Sequence, residues 1–263
     1  MEKEILSVPV NGVAFYCEKT GSGPPLVLVP DGRNDCGPFE RLVEMLSDSF
    51  LVLTFDMRGS TRSRDSSPKP LTGEMLSDDV VGIINAFNIG PVFLYGCSSG
   101  GVTALTVGKA HPELVRQTLV HEAALLQDTP LPNTGFSYFE KCEAMAGAYS
   151  DVSPAEFFWG YGDYNKFLGL AQECRERIRK NYAYWIKYYR GSVDGVSFSE
   201  SDLKSMPPTT FSVGTWSPSW LVYANLATAQ RGECSIAWLN SAHFPETTCP
   251  EDLATLMRQT FQA

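Results

Sequence analysis

The sequence has little positive charge and no long apolar run. Its 263 residues include 21 lysines and arginines against 30 acidic residues, which gives a net charge of -9. This balance argues against nucleic acid and anionic membranes as partners. The first residues, MEKEILSVPV, carry acids where a signal peptide needs basic residues. No run approaches the roughly 18 apolar residues of a membrane span. We therefore expect a soluble protein of the cytoplasm.

Clustered metal ligands are also missing from the sequence. The seven cysteines are irregularly spaced and form no C-x-x-C pair, and the chain has only three histidines. A zinc site needs such ligands at short, regular spacings. The sequence therefore predicts no metal site and no cofactor, and it predicts that most of the cysteines are reduced.

What the chain does contain is an alternation of short apolar runs with helical patterns. The apolar runs are typical of strands buried on both faces, and they lie at 24–32, 50–59, 91–98, 115–123, 208–215 and 234–241. Before them, Asn11-Gly12 separates two strand patterns and predicts a hairpin at an antiparallel edge. The alternation predicts an α/β fold with a mostly parallel central sheet and flanking helices.

One interval, 126–207, interrupts the alternation. It shows only helical and loop patterns and is rich in aromatic residues, as in EFFWGYGDY and NYAYWIKYY. Within it, Ile178, Tyr182, Trp185 and Tyr189 succeed one another at spacings of 4, 3 and 4, which places them on one helical face. We interpret the interval as an inserted helical cap domain over the carboxyl edge of the sheet.

The two segments on either side of that cap complete the predicted domain organisation. Residues 1–125 and 208–263 carry all the strand patterns. Because strands that are distant in the chain can pair in one sheet, we expect both segments to form a single core domain.

The stretch LYGCSSGGVTAL contains a G-x-S-x-G motif centred on Ser98. An apolar strand pattern precedes it and a helical pattern comes after it, which is the setting of a nucleophile elbow. Gly96 and Gly100 leave room for a sharp turn that exposes the serine. We therefore predict that Ser98 is a nucleophile, and that the backbone N–H of Ser99 contributes to an oxyanion hole.

A second oxyanion donor is expected from the loop after the third strand, PDGRND. Gly32 is the best candidate there, because its bare backbone N–H can approach a ligand closely. Asp31 has two interpretations: it contacts a polar group of the substrate, or it caps the helix that begins near Gly37.

Of the three histidines, His243 is the best candidate for a general base. It lies in the loop LNSAHFPE after the last strand, and in this kind of fold the chain order is serine, acid, histidine. His111 precedes a proline at a helix end, which is typical of a capping or surface residue.

The acid is predicted from an absence. In hydrolases with this arrangement the acid usually comes after the seventh strand, but residues 211–232 contain no Asp and no Glu. Glu122 ends the sixth strand at the same sheet edge, so its longer side chain is the next candidate. Glu246 and Asp31 are weaker alternatives. A Ser-His-Glu triad would act through an acyl-enzyme.

Several motifs resemble a known family along nearly the whole chain. They are VLVPDG, TFDMRG, GCSSG, HE after the sixth strand, KNYAYW and AHFP. Their order and spacing are similar to those of fungal zearalenone lactonases, α/β-hydrolases that open a resorcylic macrolide lactone. The resemblance implies the α/β-hydrolase fold, and it assigns the same five residues: Ser98, Glu122, His243, Gly32 and Ser99.

The resemblance also suggests how the substrate is bound and what becomes of the product. Trp185 matches a cap tryptophan that contacts the substrate in that family, and we expect Tyr189 and Asp31 to contribute to the same site. The opened lactone would lose carbon dioxide spontaneously, so that the reaction detoxifies a mycotoxin. Residues 130–170 and 215–223 depart from the family pattern, and these segments help to shape the pocket.

Three alternatives to a lactonase remain open on the sequence alone. The chain could be a general carboxylesterase, a C–C bond hydrolase, or a small-molecule receptor on the same scaffold, because fold does not decide function. Haloalkane dehalogenation is disfavoured, since it requires an aspartate at position 98. The preferred partner is a small-molecule lactone, and a homodimer is left open.

Overall fold

A computed structural model describes residues 2–128 and 164–261 of the chain. Within these residues, eight strands form one sheet in the order β1-β2-β4-β3-β5-β6-β7-β8. The strands are β1 Lys3–Val10, β2 Val13–Thr20, β3 Pro25–Val29, β4 Leu51–Phe55, β5 Val92–Cys97, β6 Val115–His121, β7 Thr209–Gly214 and β8 Ser235–Leu239.

Helices cover both faces of this sheet. In chain order they are α1 Glu40–Leu46, α2 Gly73–Phe87, α3 Ser98–Ala110, α4 Tyr164–Leu168, α5 Gln172–Tyr184, α6 Glu200–Ser205, α7 Ser219–Arg231, α8 Pro245–Thr248 and α9 Pro250–Thr260. Each long helical pattern of the core in the sequence corresponds to one of them, within a few residues at its ends. The predicted α/β-hydrolase architecture is thus confirmed.

The opening hairpin forms the antiparallel edge that the sequence predicts. Asn11 and Gly12 have φ values of 45° and 79°, which suit a two-residue turn between twisted strands. β1 pairs with β2, and β2 pairs with β4, in antiparallel register. All the other strand pairs are parallel, so the carboxyl ends of β3, β5, β6 and β7 lie at one edge of the sheet.

Residues 164–207, the described part of the predicted cap, contain helices and loops between β6 and β7. Here α5 continues into a π-helix at Trp185–Tyr189. The aromatic face predicted from spacing is largely buried: Ile178, Trp185 and Tyr189 are almost inaccessible, and Tyr182 stacks on Trp185 with centroids 5.9 Å apart. Residues 129–163 of the predicted cap lie outside the described residues.

The helix α5 is joined to the core by polar contacts. Asn181 accepts hydrogen bonds from the N–H and hydroxyl of Thr61 at 2.8 and 2.7 Å, and it donates to the Arg33 carbonyl at 3.1 Å. Arg177 forms an ion pair with the fully buried Asp35 at 2.6 Å. These contacts seat the helix over the loops that come after β3 and β4.

A close approach at Gly59 completes this junction. Its φ is +78°, and a Cβ atom there would lie 1.9 Å from the ring of Tyr184. Only glycine therefore fits the turn after β4 while α5 packs on it.

No helix among the described residues is long and apolar enough to cross a membrane. The six cysteines in the described part of the chain are free thiols, four of them buried.

Candidate active site

Ser98 lies at a sharp turn between β5 and α3. Its φ is 55°, a left-handed conformation that costs a non-glycine residue about 1 kcal/mol or more and is typical of functional turns. A Cβ at position 96 would lie 2.3 Å from the Gly100 carbonyl oxygen, and a Cβ at position 100 would lie 2.5 Å from the Pro30 carbonyl oxygen. Both flanking glycines are thus required by close backbone contacts, as an elbow demands.

Glu122 and His243 meet at the carboxyl edge of the sheet. The Nδ1 atom of His243 lies 2.7 Å from Oε2 of Glu122. The other carboxylate oxygen of Glu122 accepts the backbone N–H of Gly214 at 2.7 Å. Since Gly214 ends β7, the glutamate reaches from β6 to the end of the next strand. The carboxylate therefore occupies the place that an acid after β7 would otherwise fill.

Short contacts connect these residues to the serine turn. The thiol of Cys97, directly before Ser98, donates to the carbonyl of His243 at 3.1 Å. The N–H of Ala124, two residues after Glu122, donates to the carbonyl of Ser98 at 3.0 Å. The structure thus brings the predicted nucleophile, base and acid segments together.

The charge of Glu122 is stabilised in a buried setting. Burial acts to raise the pKa of this carboxyl, but the imidazoles of His121 and His243, with hydrogen bonds from His243 and from the Gly214 N–H, outweigh burial and hold the pKa below its usual value. An ionised Glu122 accepts from Nδ1–H of His243, which leaves the Nε2 lone pair for a proton from Ser98.

His121 is the neighbour of Glu122 in the chain, and it is fully buried. Its Nδ1 lies 3.0 Å from the Ser212 hydroxyl, and its Nε2 lies 3.8 Å from Oε1 of Glu122. Burial lowers the pKa of His121 to about 4, so the ring is neutral at neutral pH. His111, by contrast, ends α3 near the exposed Glu113, as a capping residue would.

The two candidate oxyanion donors lie in the turn after β3 and at the start of α3. Gly32 is buried in the turn after β3, and Ser99 belongs to the first turn of α3. Backbone N–H groups in a first helical turn have no partner within the helix, so they are available to an anion. Burial raises the pKa of Tyr189, from the predicted cap, and the nearby side chains of Ser99 and Thr103 act against this rise, so the buried aromatic face lies near the elbow.

Asp31 does not cap a helix. The short 3-10 helix Gly37–Phe39 begins after Cys36 without a side-chain cap. Both carboxylate oxygens of Asp31 instead bind Arg33, with Nε of Arg33 at 3.0 Å from each of them. The capping interpretation was wrong because a guanidinium two residues away offers the carboxylate stronger, paired hydrogen bonds.

Glu246, a weaker candidate for the acid, binds the same guanidinium as Asp31. Sequence reasoning missed Arg33, which is 1% exposed and among the largest buried side chains of the chain. A signal did exist: an arginine two residues after Asp31, in the loop after a buried strand, must find a carboxylate if the loop is covered.

The comparisons with known proteins agree with this fold. The alpha/beta hydrolase fold family matches residues 24–154. The structure of an enol-lactonase from Burkholderia xenovorans LB400 has the same fold, with a TM-score of 0.73 and 19% identity over 98% of this chain and 99% of that one. The shared fold and the family match together define the chain as an α/β-hydrolase.

Two curated relatives narrow this class. Zearalenone hydrolase from Cladophialophora bantiana is 30% identical over 95% of this chain and 93% of the relative. Zearalenone hydrolase from Bionectria ochroleuca is 29% identical over 99% of this chain and 98% of the relative. The chain belongs to the zearalenone hydrolase family within the α/β-hydrolase superfamily. The predicted enzyme class, a hydrolase of esters or lactones, is confirmed by this membership.

Proposed function

We propose that the enzyme hydrolyses a resorcylic macrolide lactone such as zearalenone through a Ser98-His243-Glu122 triad. The observation that carries the proposal is the 2.7 Å contact of His243 Nδ1 with a buried, ionised Glu122, next to a serine held at positive φ. A base oriented by an acid beside a strained serine is the arrangement that acyl transfer requires.

The reaction proceeds in two stages. The Ser98 hydroxyl adds to the lactone carbonyl while its proton passes to His243, and the backbone N–H groups of Gly32 and Ser99 receive the oxyanion. Each such donor contributes about 3 kcal/mol to the stabilisation of the transition state. The ring C–O bond then breaks, and His243 protonates the leaving alkoxide.

Water completes the cycle through the same base. It loses a proton to His243 and adds to the acyl-enzyme, after which Ser98 leaves with that proton. The net change is the addition of one water molecule to the lactone, which yields a hydroxy acid. A resorcylic product then loses carbon dioxide in solution, which makes the opening irreversible.

The substrate class rests on the family and on the aromatic cap. We propose that residues 126–207 form the cap domain and that Trp185 and Tyr189 supply apolar area to the ring of the substrate. Aromatic side chains offer a large apolar surface with few rotatable bonds, which suits a rigid aromatic lactone. Most of the rings also pack the cap itself. The biological role would be detoxification of a mycotoxin in the cytoplasm.

The test is hydrolysis of a panel of macrolide lactones by the wild type and by Ser98→Ala, read by mass spectrometry. We expect the wild type to add one water to zearalenone over many turnovers, and the variant to leave it intact. Turnover by the variant would refute Ser98 as nucleophile.

The same assay separates the alternatives when small activated esters and C–C bond substrates are added to the panel. A carboxylesterase or a C–C bond hydrolase would prefer small activated substrates over every macrolide. A receptor would bind a lactone tightly and stop after one acylation.

A further inference from the structure

A buried ion cluster lies beside the proposed machinery. The guanidinium of Arg33 is bound by two carboxylates, those of Asp31 and Glu246, and all three side chains are almost inaccessible. The Arg33 Nη1 also donates to the Thr247 hydroxyl at 3.1 Å, and the guanidinium lies 4.1 Å from the ring centre of Phe244. The cluster is therefore a desolvated, specific contact rather than a surface ion pair.

The residues of this cluster lie next to the proposed catalytic residues in the chain. Arg33 is the residue directly after Gly32, the proposed oxyanion donor. Phe244 is the residue directly after His243, the proposed base, and Glu246 lies only two residues further on. One guanidinium thus bridges the loop that supplies an oxyanion donor and the loop that supplies the base.

The backbone of Arg33 makes a third connection. Its carbonyl accepts the Asn181 amide at 3.1 Å, and Asn181 lies on α5 of the cap. A displacement of Arg33 would therefore displace both loops and also α5, the helix that carries the aromatic face.

We propose that the Arg33–Glu246 ion pair positions the Gly32 N–H relative to the His243 imidazole, and that the charge of Glu246 sets the acid side of the pH–activity profile. The inference rests on the proposed function, because it takes Gly32 as donor and His243 as base. Arg33 and Glu246 are positioning residues: they act through the two loops and do not touch the reacting atoms.

Charged and titratable groups surround Glu246 on several elements. From the loop after β3 it faces Arg33 and Asp31, from β5 it faces Tyr95 and Cys97, and along its own segment it faces His243 and Cys249. The Tyr95 hydroxyl lies 3.4 Å from Oε2 of Glu246. Two carboxylates thus share one permanent cation, and the imidazole is the only other group in this set that can become positive.

This shortage of positive charge explains the titration of Glu246. Burial raises the pKa of this carboxyl; Arg33 acts against burial and Asp31 adds to it, so the pKa is raised to about 7. Glu246 therefore gains its charge near neutral pH. Once ionised, it stabilises the imidazolium form of His243, which cannot accept a proton from Ser98.

The first experiment uses Glu246→Gln, which keeps an acceptor for Arg33 but has no charge. Hydrolysis of the lactone and of a simple aryl acetate is measured from about pH 5.5 to 9.5. We expect the acid limb of kcat/KM to move to lower pH by at least about 0.3 unit, with KM nearly unchanged. Asp79→Asn, in the buried Arg58–Asp79 pair remote from the triad, is the matched control and should leave the limb in place.

The second experiment uses Arg33→Lys, which keeps the charge but cannot bind two carboxylates at once. We expect kcat to fall about tenfold or more, since small misplacements of reacting groups have such costs. Should Arg33→Lys fail to fold, as judged by circular dichroism, the triple variant Arg33→Met, Asp31→Asn and Glu246→Gln leaves no unpaired charge in the cluster. It lacks the ionic bridge between the two loops, so its kcat should still fall about tenfold or more.

A substrate-free measurement keeps this inference separate from the proposed function. The side-chain carboxyl signal of Glu246, assigned by NMR against Glu246→Gln, should titrate near pH 7 in the wild type. A titration of this carboxyl near its usual value of about 4.3, or wild-type activity and profiles in both variants, would overturn the inference. A wild type that opens no lactone, or an active Ser98→Ala, would instead overturn the proposed function.

Discussion

Two buried glutamates, Glu122 and Glu246, lie near His243, and their surroundings shift the carboxyl pKa in opposite directions. Glu122 and Glu246 are both buried, and burial by itself acts to raise the pKa of each. Glu122 faces imidazoles and a backbone N–H, and its pKa is lowered. Glu246 shares Arg33 with Asp31, and its pKa rises to about 7. Neighbouring charges and hydrogen bonds, not depth, decide which carboxyl is ionised at neutral pH.

The contrast suggests a division of roles. A carboxylate that must orient an imidazole and stabilise its cation has to stay charged throughout the working pH range, as Glu122 does. A carboxyl that titrates near pH 7 cannot do this reliably, but it can adjust how readily the imidazole takes up a proton. Environments that separate two pKa values are a mark of acid–base sites.

The comparison presupposes that His243 serves Ser98, and the largest expected effect tests this. Ser98→Ala should lower kcat for lactone hydrolysis by about 10⁴-fold or more, because loss of the nucleophile leaves only binding and the oxyanion hole. Stopped assays with mass spectrometry measure the residual activity. Ser77→Ala, a buried serine on α2, is the matched control and should retain full turnover.

Exchanging each glutamate for glutamine tests directly whether the two carboxyl groups have different roles. Glu122→Gln should lower kcat by about 10³- to 10⁴-fold, because the amide no longer fixes the imidazole tautomer or stabilises its cation. Glu246→Gln should cost about tenfold or less at pH 8, since it acts only through position and charge. Steady-state kinetics of both variants measure these two losses of activity. If Glu246→Gln were the inactive one, the acid would have been assigned to the wrong carboxyl.

The same two variants should differ in how their stability depends on pH. The folded-state pKa of Glu246 is raised, so its contribution to stability is present below its unfolded value and is lost as pH rises through about 7. The melting temperature of Glu246→Gln relative to the wild type should therefore increase by several degrees between about pH 5 and pH 8.

For Glu122 the sign is reversed. Its folded-state pKa is lowered, so its contribution is present above the unfolded value and is lost as pH falls. Glu122→Gln should lose melting temperature relative to the wild type as pH rises from more acid values to the unfolded pKa of about 4.3. Glu44→Gln, in an exposed pair on α1, should give a nearly constant difference. Parallel curves for both buried variants would contradict the opposite pKa shifts.

The smallest expected effect concerns α5, which contacts the loops after β3 and β4. Asn181→Ala should lower the free energy of unfolding by about 1–3 kcal/mol, because Thr61 and the Arg33 carbonyl lose a buried partner. Urea denaturation measures this change. Asn165→Ala, at an exposed position of α4, should change stability by less than about 0.5 kcal/mol. Equal effects of the two substitutions would mean that Asn181 does not anchor the cap.

Much of the fold was predictable from local patterns. The hairpin at Asn11-Gly12, the buried strands, the helices between them and the break in alternation after β6 all result from turn chemistry and hydrophobic periodicity. The elbow was predictable too, because glycines flank Ser98 between a strand pattern and a helix pattern. Glu122 was predicted as the acid by elimination, from the lack of acids in 211–232.

The missed features depend on contacts between distant segments. Thr61, in the turn after β4, binds Asn181, 120 residues away, and no local pattern around either residue indicates this contact. The interpretation of Asp31 as a helix cap failed because Arg33 takes both of its oxygens. The π-helix at Trp185–Tyr189 leaves the helical spacing of the aromatic face almost unchanged, so periodicity could not reveal it.

By itself the sequence determined the order of strands and helices and the residues able to act as nucleophile, base and acid, because these are set by local spacing and side-chain chemistry. Only the tertiary structure decided which carboxylate meets His243, which one meets Arg33, and what charge each carries. Those outcomes depend on pairing across the sheet edge and on burial, and neither property belongs to any short stretch of the chain.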